Sequence, residues 1–152
     1  MSEWIEVQNG LYALHTAHTS YLFRILPSGH AEHLYYGARL PVTPGLAQAI
    51  APRWLCSAGH SAAYSEADDT LCLDRLCLEA GTEGKGDLGT PLVRLTDADG
   101  ASTLDFVFDH AERPDPAQGP AGLPGACDAD DALTLVLRET ERPGLTLSLH
   151  YA

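Results

Sequence analysis

The chain has 152 residues, 45% of them hydrophobic and 20% charged, with a formal net charge of −12. That length makes one domain, residues 1–152, able to bury about two-thirds of its unfolded surface. Such an acidic chain excludes nucleic acid and an anionic membrane surface as partners, and leaves a neutral ligand or another protein.

At the start, Met1-Ser2-Glu3-Trp4 has neither the basic nor the apolar segment of a signal peptide. No stretch reaches the ~20 apolar residues of a membrane span. The four cysteines Cys56, Cys72, Cys77 and Cys127 therefore read as reduced thiols, and a cytoplasmic location is expected. Period-two patterning then predicts strands over residues 11–15, 20–26 and 31–36, with Pro27-Ser28-Gly29-His30 turning the second into the third. A short helix is expected over 44–51, followed by an irregular stretch holding Pro52-Arg53-Trp54, and a second short helix over 69–79. Residues 92–96 and 103–108 flank Asp97-Ala98-Asp99-Gly100, a good hairpin connection because Asp and Gly accept positive φ. The Pro- and Gly-rich stretch 114–124 is a surface loop. Residues 132–138 and 145–151 form a last pair around Pro143-Gly144, in which Leu133, Leu135 and Leu137 share the apolar face. The chain is strand-like to its end, as expected of a fragment cut at a domain boundary or of a terminal edge strand. Many short strands with Gly/Pro turns make the fold all-β, an antiparallel β-sandwich with one or two short helices.

Candidate chemistry is sparse. His15/His18 and His30/His33 have H-x-x-H spacing, but three residues along a strand put side chains on opposite faces, so no metal site is expected. Cys72 and Cys77, five apart, diverge on a helix and on a strand alike, and read as core or half-buried side chains. The acidic pairs Asp68/Asp69, Asp97/Asp99 and Asp130/Asp131 sit in turns and loops, where adjacent carboxylates point into solvent rather than across a cleft. In Gly84-Lys85-Gly86-Asp87 two glycines around a lysine allow close backbone approach, without the spacing of a P-loop. Arg53-Trp54 is either a sugar-stacking or interface anchor, or a cap on the core.

These segments, in this order, resemble the N-terminal domain of bacterial α-galactosidases of glycoside hydrolase family 36. The resemblance rests on Thr19-Ser20-Tyr21, His33-Leu34-Tyr35-Tyr36-Gly37, Gly84-Lys85-Gly86-Asp87 with Thr90-Pro91, and Asp97-Ala98-Asp99-Gly100. It continues through Asp105-Phe106 to His110, Gly122-Leu123-Pro124, Leu133-Thr134-Leu135, Gly144-Leu145-Thr146-Leu147 and Tyr151. It implies a large sandwich of the galactose-mutarotase-like (supersandwich) type, preceding a (β/α)₈ barrel in the same polypeptide. That barrel carries the two aspartates that cleave melibiose- and raffinose-type sugars with retention, so no catalytic residue, cofactor or metal is expected in this chain. The resemblance also implies a homo-oligomer, a tetramer in some members, in which loops of this domain reach a neighbouring subunit's sugar pocket. The residues aligned with those loops are Arg53 and Trp54, with Lys85 and Asp87 in a second loop, as candidate contacts to an α-galactoside. Both loops depart from the family pattern: Glu79-Ala80-Gly81-Thr82-Glu83 precedes the glycine-rich turn, Leu88-Gly89 follows it, and Trp54-Leu55 stands where an acidic residue is usual. Two other readings remain: a free-standing β-sandwich carbohydrate-binding module using Trp54, and a small sandwich enzyme acting through histidine and acids in the manner of sugar mutarotases.

Overall fold

The structure, a computed structural model, describes residues 4–51, 63–68, 71–114 and 131–151. Among the described residues, seven strands form two antiparallel sheets with very little helix. The first sheet is a meander, in the order β1 (Ile5–Gln8), β2 (Leu11–His15), β3 (Thr19–Ile25) and β4 (Ala31–Ala38). The second has β5 (Phe106–Glu112), β6 (Leu133–Glu139) and β7 (Thr146–Tyr151) in sequence order.

Local chemistry accounts for the turns. Asn9 and Gly10, at φ 50° and 78°, join β1 to β2 through the primed geometry whose twist matches that of the strands. Gly29, at φ 89°, turns β3 into β4, and a Cβ there would lie 2.9 Å from Val107 Cβ. Only glycine lets this turn press against β5, where the Phe108 N–H donates to the Gly29 carbonyl at 2.7 Å.

The principal core lies between the sheets. It gathers Ile5, Tyr12, Phe23 and Ala31 from the first sheet with Phe106, Leu133, Leu135 and Leu137 from the second. Phe23 stacks on Tyr12 at 4.9 Å and on Tyr151 at 5.3 Å between ring centroids. A smaller cluster of Leu11, Ala13 and Leu22 fills the opposite face of the first sheet, under Leu46, Ala47 and Ile50 of α1 (Leu46–Ile50). β2 is thus buried on both faces, which is why Leu-Tyr-Ala-Leu-His reads as a run rather than an alternation. β6 keeps the expected face, with Leu133, Leu135 and Leu137 inward.

Besides β1, a strand the sequence reading did not include, three elements differ from the sequence-based expectation. Residues 92–96 form no strand: Val93 makes one parallel bridge to Thr82, and Leu92 and Leu95 are exposed. The helix expected over 69–79 contracts to one 3-10 turn at Leu73–Arg75, with residues 69 and 70 outside the described set. Its C-terminal part pairs with β4 instead: His33 N–H donates to the Cys77 carbonyl at 2.7 Å, and Glu79 N–H to that of Ala31 at 2.9 Å. The strand expected from Thr103 begins at Phe106, because Leu104 N–H is bonded to the Glu83 carbonyl and the Asp105 carbonyl to Thr140 N–H. The loop at 114–124 lies outside the described residues beyond position 114.

Candidate functional site

The glycine-rich segment is a tight turn. Asp87 N–H donates to the Gly84 carbonyl at 3.1 Å, and the two residues between are left-handed, Lys85 at φ 52° and Gly86 at φ 87°. Gly84 has no room for a side chain, since a Cβ would sit 2.4 Å from Thr103 Cγ2. The Lys85 ammonium pairs with Glu141 Oε1 at 2.7 Å, which raises its pKa above the ordinary lysine value. Asp87 Oδ1 folds back to accept Gly89 N–H at 2.9 Å. Behind the turn, Arg142 reaches the Thr103 carbonyl at 2.8 Å and Asp97 at 3.2 Å, so the β6–β7 hairpin braces both the glycine-rich turn and the Asp97 turn. The turn is therefore held from behind by the hairpin, with Leu88 beside it 79% exposed.

A second cluster joins the sheets at His30. Its Nε2–H donates to Asp105 Oδ1 at 3.0 Å, both side chains being buried, while Nδ1 accepts from the Ser28 hydroxyl at 2.9 Å. Asp105 Oδ2 also accepts the hydroxyls of Tyr64 at 2.9 Å and Thr140 at 3.3 Å. Burial pushes the Asp105 carboxyl up, but the hydrogen bonds from His30, Tyr64 and Thr140 outweigh it and hold the group below its ordinary value. Tyr64, desolvated and donating to that carboxylate, is pushed up to about 12 and stays a donor.

The third cluster centres on Glu79, whose side chain is 4% exposed. Tyr21 OH lies 2.8 Å from each carboxylate oxygen, Tyr151 OH donates to Oε2 at 2.6 Å, and His33 Nδ1 to Oε1 at 3.2 Å. Burial, then the Glu79 carboxylate, raises both tyrosine pKa values, so both phenols remain protonated donors. One carboxylate thus pins β3, β4 and β7 together.

Of the four residues singled out in the sequence, Lys85 and Asp87 share one turn; Arg53 and Trp54 lie outside the described residues. His15 bonds to Ser20 Oγ at 2.7 Å, and His30 and His33 to different carboxylates, so the H-x-x-H pairs do not converge. Among the described residues no group of three His, Cys, Asp or Glu is placed to hold a metal ion. Cys72 is buried, whereas Cys77 is exposed, contrary to the expected core or half-buried placement, because residues 77–79 run along the open edge of β4. Cys56 and Cys127, and one member of each of two acidic pairs, Asp69 and Asp130, lie outside the described residues. Sequence reasoning missed Glu79 as a centre. Its signal lay in the quoted motifs, since Tyr21, His33 and Tyr151 are motif residues that all meet at this carboxylate.

Known proteins share this fold. A model of the glycosyl hydrolase family 36 N-terminal domain matches residues 29–152. The bifunctional alpha-galactosidase/sucrose kinase AgaSK of Mediterraneibacter gnavus is 29% identical over 126 residues, covering 82% of this chain and 13% of that protein. The alpha-galactosidase of Lactobacillus brevis superposes with a TM-score of 0.75 at 28% identity, over 92% of this chain and 19% of its own. AgaB, a GH36 alpha-galactosidase of Geobacillus stearothermophilus, superposes with a TM-score of 0.78 at 20% identity, over 96% of this chain and 20% of its own. The chain spans 20% or less of the length of each of these relatives.

Proposed function

The chain belongs to the glycosyl hydrolase family 36 N-terminal domain family, and from that membership we propose that residues 1–152 form the non-catalytic N-terminal β-sandwich domain of a cytoplasmic α-galactosidase. In this reading the polypeptide includes a (β/α)₈ barrel that hydrolyses terminal α-galactosyl residues of melibiose- and raffinose-type sugars. The domain serves assembly of a homo-oligomer and frames a neighbouring subunit's sugar site with Arg53, Trp54, Lys85 and Asp87. The observation that carries the reading is the family match across residues 29–152. Two features of the glycine-rich turn support it. The turn is braced from behind by the β6–β7 hairpin, and Leu88, Leu92 and Leu95, which follow it in the chain, are 79%, 61% and 43% exposed.

The described residues do contain a His–acid pair of the kind a mutarotase-like enzyme would need, His33 and Glu79. Its carboxylate is 4% exposed and committed to two tyrosine hydroxyls, so it is not free to act as a base on a substrate. The test is an assay of the purified 152-residue chain on p-nitrophenyl α-galactoside. No turnover above buffer is expected, and turnover by this chain alone would overturn the reading.

A further inference from the structure

β3 and β4 place a row of rings on one face of the first sheet. Tyr21 is paired with Tyr36, and Phe23 with His33, across the two strands. The Tyr21 ring lies 4.7 Å from the His33 imidazole and 6.2 Å from the Tyr36 ring. Tyr36 is 70% exposed, and the His33 side chain is 25% exposed. The row therefore runs from an open aromatic ring to a partly open imidazole.

Glu79 determines what that imidazole offers. A carboxylate accepts hydrogen bonds, so in the tautomer that donates to Glu79 it is Nδ1 that carries the proton and Nε2 that keeps its lone pair. Nε2 has no hydrogen-bond partner among the described residues. Tyr21 and Tyr151 hold the carboxylate in place from the other side, fixing the ring that it orients. The result is an exposed aromatic ring and a partly exposed imidazole, both packed against Tyr21, the imidazole fixed by Glu79.

We propose that Tyr36, Tyr21 and His33 form a binding site for a neutral pyranose, whose C–H face stacks on Tyr36 while one hydroxyl donates to His33 Nε2. An aromatic surface with a few fixed polar groups is the general recipe for such a ligand. An anion is disfavoured by the carboxylate directly behind the imidazole and by the net charge of −12. A cation finds no uncommitted carboxylate here, and a wholly apolar ligand would leave the Nε2 acceptor desolvated without a partner. Glu79 is a positioning residue that does not touch the sugar, so the site binds and does not turn over. The site shares no residue with the glycine-rich turn, and extends the proposed function rather than resting on it.

The test is titration of the ¹⁵N-labelled 152-residue chain with methyl α-galactoside, methyl α-glucoside and methyl α-mannoside, followed by amide chemical shifts. Shifts clustered at Tyr21, His33 and Tyr36 are expected with at least one of the three. Tyr36→Ala, at an exposed position, should preserve the rest of the spectrum and weaken binding about tenfold or more. His33→Phe, which keeps a ring but removes the acceptor, should weaken it as well. Absence of shifts with all three glycosides overturns the proposal. So do shifts that survive Tyr36→Ala, whether near residues 84–89 or elsewhere. Either failure leaves the non-catalytic role untouched, because that role is read from turnover and not from binding.

Discussion

Replacing Phe23 with alanine lowers the unfolding free energy by about 3–5 kcal/mol, read as a fall in the urea midpoint at constant slope. Phe23 is 0% exposed, stacked on Tyr12 within its own sheet and on Tyr151 of β7. Its removal deletes a large apolar side chain and leaves a cavity between two sheets, whose strands cannot close without shifting their registers. Ile5, Leu135 and Leu137 share the same cluster, so the loss is felt on both sides of the core. Val7→Ala, at a strand position 50% exposed, provides the contrast and should change stability by no more than about 0.5 kcal/mol. A loss at Phe23 as small as that at Val7 would mean that the sheets do not share a core.

Asp105→Ala should cost about 3–5 kcal/mol, for a different reason. The carboxylate lies just before β5 with its side chain 4% exposed, and ties three donors: His30 from the first sheet, Tyr64, and Thr140 at the end of β6. Removing it leaves a buried imidazole N–H and a phenol without partners, and an unpaired buried donor costs more than the bond it replaces. The same group makes stability depend on pH. Burial raises the Asp105 pKa, but the three hydrogen bonds outweigh it and depress the folded-state value below 3.8. A depressed carboxyl stabilises the fold above its unfolded pKa, and that contribution is lost as pH falls through the folded value. The urea midpoint of the wild-type chain should therefore fall on acidification below about pH 4, where the unfolded group takes up its proton first. Asp105→Asn, which keeps the shape but not the charge, should show a smaller fall over that window. Equal acid dependence in the two proteins would refute the assignment.

Most of the sheet framework was legible because it is written locally. Leu133, Leu135 and Leu137 announce the inner face of β6, and Pro27 to His30 announce the turn that packs on β5. β1 was missed although Asn9-Gly10 is a strong hairpin signal, since Ile5–Gln8 is only four residues long with one buried side chain. The segment 69–79 was misread as helical because its apolar residues fit that period; competition from the open β4 edge, which captures Cys77 and Glu79, is a non-local effect. The site followed the same division. Gly84-Lys85-Gly86-Asp87 was visible as a turn with a purpose, because two glycines around a lysine are a local anomaly. The pairing of Lys85 with Glu141 was not, being set by a hairpin 56 residues away. Glu79 was the least visible of all. Its partners Tyr21, His33 and Tyr151 lie 58, 46 and 72 residues from it, and only folding gives the motif tyrosines and histidine a common target.

The central claim is that these 152 residues are the non-catalytic sandwich of a longer α-galactosidase. The most direct measurement is the nucleotide sequence of the reading frame downstream of Ala152. The account predicts that the frame stays open and encodes a (β/α)₈ barrel with its two catalytic aspartates; a stop codon directly after Ala152 would contradict it.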